Sequence, residues 1–219
     1  MQMSLISRMS QTRKILIILV IFYAFGVFWL SFPPTKGIIE TLTPYTLLMN
    51  LLLLMLFHKP WTVKHIVLFA VIAVSGFLVE VAGVQSGLVF GDYQYDHVLG
   101  TKIFGTPLII GVNWLMLIYF VYHLTGRTKI NRLLQIIAGA LMMVTYDIFL
   151  EPVAIRMNMW NWSDNQIPVQ NYVAWFFISI VFLSLLHIFK VKAENKISRG
   201  LMAVQAGFIL SLNIIYRFI

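Results

Sequence analysis

The sequence has no cysteine, few charged residues (11%) and fewer acids than bases, eight against sixteen. Without cysteine there is no disulfide, no thiolate nucleophile and no Cys-ligated metal. So small a charged fraction excludes an ordinary soluble domain, in which about a quarter of residues are charged. The excess of bases gives a formal net charge of +8, but the basic residues stand at the ends of apolar runs instead of forming one face. They read as topology signals and not as a nucleic-acid footprint. Internal repeats, linkers and low-complexity tracts are also missing, so residues 1–219 are expected to form a single transmembrane domain. No pair among the five histidines has the spacing of a zinc motif. No metal site is expected.

What the chain has is apolar surface, at 60% hydrophobic residues. Seven apolar runs, about 15–32, 38–57, 63–84, 106–124, 131–153, 169–189 and 199–217, lie near the ~20 residues that a membrane-crossing helix requires. The expected fold is all-α: a polytopic integral membrane protein with about seven transmembrane helices, multi-pass in the cell membrane. The first run exceeds the apolar core of a signal peptide and ends in Phe32-Pro33-Pro34, so it reads as a retained helix. Glu40 and Pro44 weaken the start of the second run, and Pro152 is expected to end or kink the fifth. Twelve Lys and Arg fall on the N-terminal side: Arg8, Arg13 and Lys14, then the loops 58–65, 125–132 and 190–199. Four fall on the other side. The positive-inside rule then predicts N-in and C-out, with the loops 84–105 and 154–168 outside.

Ionisable residues at membrane depth are expensive and mark functional sites. Glu80 lies 16 residues past Lys64, ~24 Å along its helix, and Asp147 lies 15 residues past Arg132, ~22 Å along. In a hydrocarbon core of ~30 Å the two acids reach similar depth. Asn113, Gln170 and Asn171 bring amides to the same level, which predicts a polar pocket beneath the outer surface. Gly76, Glu80 and Gly83 share one helix face, and small residues allow close helix contact in membranes, so Glu80 is expected to point into the bundle. Gly139, Met143, Asp147 and Glu151 form an i, i+4 series. Two carboxyls so spaced in low dielectric do not both ionise cheaply, which makes them a coupled pair able to keep one proton for donation. The plainer alternative has Glu151 at the interface or paired with Arg156, and Asp147 capping a neighbouring backbone.

Aromatics crowd the same side, among them Tyr93, Tyr95, Trp114, Trp160, Trp162 and Trp175. Trp160 and Trp162 lie in a loop and fit an interfacial belt. His58, His65, His123 and His187 fall at the opposite helix ends and also read as interfacial. A retinal-binding seven-helix protein would need a lysine inside its last helix, and none lies between Gly200 and Arg217.

Four blocks carry a resemblance to a known family: EVAGVQSGLVFGDYQY from Glu80, GTPLIIGVNW over 105–114, YDIFLEPVAIRMNMWNW over 146–162 and IPVQNYVAW over 167–175. In this order they resemble the membrane-integral carotenoid biosynthesis family, which includes carotenoid 1,2-hydratases. Ser86, Thr106 and Glu151 stand where that pattern usually has threonine, valine and aspartate. The resemblance implies a cofactor-independent hydro-lyase that adds water across the terminal C1–C2 double bond of a linear or monocyclic carotenoid. The implied partners are a membrane-dissolved carotenoid, water, the lipid bilayer and other enzymes of the same pathway. An alkene is a poor base, so the first step needs a buried, protonated acid. The resulting tertiary cation needs a carboxylate and aromatic faces beside it, and a held water to capture it.

On this reading Asp147 is the acid, Glu80 its partner or the water-holding base, and Glu151 a third catalytic carboxyl. Asn113, Asn171, Tyr95 and Asp92 are candidates for binding water or substrate, and Trp114 and Trp175 for facing the cation. Two alternatives stay open. A carotenoid end cyclase would form the same cation and lose a proton. A small proton-coupled transporter would also keep acids in its helices, although such proteins usually show internal repeats and interrupted helices.

Overall fold

The computed structural model of the protein describes residues 10–192 and 194–218; Arg8, which enters the orientation argument, lies outside them. Among the described residues the helices are α1 (Gln11–Leu30), α2 (Pro33–Glu40), α3 (Thr43–Phe57), α4 (Val63–Ser86), α5 (Ile109–Thr125), α6 (Arg132–Arg156), α7 (Val169–Ile188) and α8 (Ser198–Ile215). The fold is all-α and polytopic. Among the described residues five helices are long and apolar enough to cross a membrane, or six if α2 and α3 count as one bent span.

The differences from seven uninterrupted runs have local causes. The run expected over 38–57 is two helices bent by 51° at the break after Glu40. Pro33 and Pro34 open α2, and Pro44 opens α3, where its missing N–H costs no helical bond. Helix α5 has 17 residues, ~26 Å at the usual rise, which is short for a ~30 Å core. It is apolar on all sides because it is the central helix: residues 114–123 are all buried, and α3, α4, α6, α7 and α8 all pack on it. Pro152 does not end α6, which runs on to Arg156. Val153 and Ala154 are buried there and Met157 N–H donates to Val153 O at 2.8 Å, so core packing holds the last turn.

Three short antiparallel ladders join the loops: β1 (His58–Lys59) with β6 (Glu194–Asn195), β2 (Tyr93–Tyr95) with β5 (Trp160–Trp162), and β3 (Lys102–Ile103) with β4 (Thr106–Pro107). The β2–β5 ladder ties together the two loops expected on one side of the membrane. The β1–β6 ladder does the same for two loops expected on the other. Helix α4 stops at Gly87, whose φ of +66° is the left-handed conformation that glycine adopts without penalty. That stop turns the chain into β2.

Candidate active site

Helices α4, α5, α6 and α7 each place a polar side chain at one level, under the β2–β5 ladder. Gly76, Glu80 and Gly83 are buried on one face of α4, as the spacing predicts. A Cβ on Gly76 would lie 2.7 Å from Trp114 Cβ, so glycine there gives the indole its place. On α6, Gly139, Met143, Asp147 and Glu151 are likewise buried on one face. Asn171, in the first turn of α7, is buried against them.

Three ring donors converge on Glu80. Trp114 Nε1–H donates to Oε1 at 2.8 Å, Tyr95 O–H donates to Oε2 at 2.8 Å, and Tyr93 O–H donates to the same Oε2. Burial, and then the Glu80 charge, pushes the phenols of Tyr93 and Tyr95 up, so both remain protonated donors. Glu151 accepts from Trp160 Nε1 at 3.0 Å and Trp162 Nε1 at 2.9 Å, both at Oε2. Asn171 Nδ2 bridges the acids of α6, donating to Asp147 Oδ2 at 2.7 Å and to Glu151 Oε1 at 3.4 Å. Asp147 is fully buried and its Oδ1 has no hydrogen-bond partner among the described residues. Beside these groups, on the side away from the ladder, Trp114 and Trp175 stack, with centroids 4.4 Å apart.

These side chains enclose a chamber of about 30 Å³ lined by Glu80, Asp147, Glu151, Asn113 and Asn171, with aromatic rings between them. That is room for about two water molecules. Next to it lies a larger cavity of about 220 Å³ with an almost wholly apolar wall. Ile110, Asn113, Leu150 and Trp160 belong to the walls of both. Phe22, Phe25, Trp29 and Leu42 also line the larger cavity, and they are exposed on the outside of the bundle.

The structure thus brings together eight of the nine residues expected from the sequence. Asp92 is the exception. Its side chain is exposed and lines neither cavity. Alternation in the extended segment explains this: Tyr93 and Tyr95 face inward, which turns Asp92 and Gln94 outward. Its carbonyl serves the ladder instead, accepting from Ser163 N–H at 3.0 Å. Gln170 is exposed too and donates to Leu88 O. Glu151 neither reaches the interface nor pairs with Arg156. Trp160 and Trp162 are not belt residues: both are buried and hold Glu151. The signal for them is the aromatic-polar-aromatic pattern of YQY (93–95) and WNW (160–162), the period of a strand with one face inward.

The comparison with protein families decides the identity at this level. The family described as carotenoid biosynthesis protein matches residues 42–218. The chain belongs to that family. The match takes in every helix that contributes to the chamber and leaves out only α1 and α2. No curated protein and no solved structure matches the chain.

Proposed function

We propose that this carotenoid biosynthesis protein is a hydratase acting on the terminal double bond of a carotenoid. The observation that carries the reading is the free, buried Oδ1 of Asp147 in a chamber sized for water. The isoprenoid end lies in the apolar cavity and reaches the chamber past Asn113 and Trp160. Asp147 transfers the proton from its carboxyl to C2, and the π electrons form the new C–H bond. The positive charge then sits at the tertiary C1. Glu80 faces it as a fixed anion, and the stacked Trp114 and Trp175 offer ring faces.

Asn113 holds the water, whose oxygen bonds to C1. The water's spare proton returns to the Asp147 carboxylate. Atoms and charge balance: one water is added and the acid is regenerated. Both Glu80 oxygens are already occupied by ring donors, so Glu80 serves as counter-charge and not as base. Glu151 is a positioning residue. Its contacts hold β5 over the chamber and, through Asn171, orient Asp147.

Room for water beside the acid favours hydration over cyclisation, in which the same cation would lose a proton. We further propose that the protein is multi-pass in the cell membrane, N-in, with the chamber under the outer surface. A pigment profile of cells producing the chain with a linear carotenoid tests the reaction. The expected product is heavier by one water and carries a tertiary alcohol. A ring-bearing isomer of unchanged mass would replace hydration by cyclisation.

A further inference from the structure

A second group of polar side chains lies at membrane depth, outside the acid chamber. Tyr23 on α1, Asn50 on α3 and Gln205 on α8 are all buried. Asn50 Nδ2 donates to the Tyr23 hydroxyl, and Gln205 Nε2 approaches the same oxygen at 3.5 Å and Met116 Sδ at 3.7 Å. Both amide oxygens, Asn50 Oδ1 and Gln205 Oε1, are left without a partner among the described residues. If the group only fastened three helices together, it would be expected to use its acceptors as well as its donors, because an unpaired buried acceptor is costly. Tyr23 and Gln205 belong to the wall of the 220 Å³ apolar cavity, whose shared wall with the acid chamber carries Asn113 and Trp160.

We propose that Tyr23 and Gln205, with Asn50 behind them holding the Tyr23 hydroxyl, form a polar subsite that receives a hydroxyl on the isoprenoid chain, away from the carbons that react at Asp147. A hydroxyl fits the group because it both donates and accepts. It gives its proton to Gln205 Oε1, which is otherwise unpaired among the described residues, and accepts from the Tyr23 phenol beside it. A pure hydrocarbon leaves that oxygen unpaired. The cavity therefore prefers a chain that already carries an oxygen, which places this step after a hydroxylation or a hydration of the same molecule. The proposal rests on the cavity being the seat of an isoprenoid chain.

The test uses the full-length protein in lipid nanodiscs and a matched pair of linear polyenes, one a hydrocarbon and one carrying a single hydroxyl. Binding is read by quenching of tryptophan fluorescence, since Trp29 and Trp160 line the cavity. The alcohol is expected to bind about five- to tenfold more tightly than the hydrocarbon. Tyr23→Phe and the near-isosteric Gln205→Met should each bring that ratio close to one. A ratio near one in the unaltered protein, or an unchanged ratio in both variants, overturns the subsite and leaves hydration standing. Quenching by neither ligand overturns the cavity reading and the subsite with it. Because binding is measured without turnover, failure of the hydratase reaction does not mimic either result.

Discussion

Asn171 Nδ2 donates to Asp147 Oδ2 at 2.7 Å, while the other oxygen of the same buried carboxyl has no partner among the described residues. In the proposed mechanism one oxygen orients the acid and the other is left for chemistry. Glu80 is arranged in the opposite way, with donors on both oxygens. This asymmetry is the basis on which the proposed mechanism gives different roles to two carboxyls that look alike in the sequence.

Asp147→Asn keeps the shape and removes the transferable proton. General acid catalysis is commonly worth about 10²–10⁴ in rate, so turnover should fall by at least about a hundredfold while the protein still accumulates in the membrane. Product formation per unit of folded protein, normalised by size-exclusion chromatography, checks this. Turnover close to that of the unaltered protein would remove Asp147 from the acid role.

The acids themselves were legible in the sequence because charge at membrane depth is rare and the helical period fixes its face. Gly76, Glu80 and Gly83 on α4 and the Gly139 to Glu151 series on α6 fall where that period puts them. The cover of the chamber was harder to read, because it comes from pairing between residues far apart in the chain: Tyr93 with Trp162 and Tyr95 with Trp160. A short strand in a loop carries little periodic signal, and its partner cannot be read from local pattern. Asp92 was misplaced for the same reason, since only the strand shows which side of it faces out. The break between α2 and α3 was half visible, in Pro44 and Glu40.

Trp162→Phe retains a ring in the ladder and deletes the N–H that meets Glu151 at 2.9 Å. Losing a hydrogen bond to a buried carboxyl costs about 1–3 kcal/mol. Hydrogen exchange over residues 93–95 and 160–162 should become faster, and turnover should drop, while exchange in α8 stays as it was. Unchanged protection of both strands would mean that Glu151 does not hold the ladder.

At the opposite end His58 is buried beside His65, with ring centroids 4.9 Å apart, and its Nδ1 lies 2.9 Å from the Tyr119 hydroxyl. Burial, and then the charge of His65, lowers its pKa from 6.5 to about 4. With the folded value depressed, the unfolded chain binds the proton more readily. The contribution to stability is therefore full above about pH 6.5 and is lost as pH falls toward about 4. Thermal unfolding in detergent should show a lower midpoint at pH 4.5 than at pH 7. His58→Gln should flatten that dependence; a profile as steep as the original would assign it to other groups.

Orientation is open to labelling because the chain has no cysteine. A single cysteine at Ser163, in the turn after β5, should react with a membrane-impermeant maleimide added to intact cells. Reaction only after the membrane is opened would invert the proposed topology and put the chamber on the cytoplasmic side.

Isotope labelling tests the central claim, proton transfer followed by capture of water, most directly. Membranes containing the protein are given a linear carotenoid in D₂O, and separately in H₂¹⁸O, and the product is read by mass spectrometry and NMR. The account predicts one deuterium on C2, beside the new alcohol, and ¹⁸O in the hydroxyl at C1. A hydroxylated product without ¹⁸O, or a cyclic product that carries deuterium and no oxygen, would contradict it.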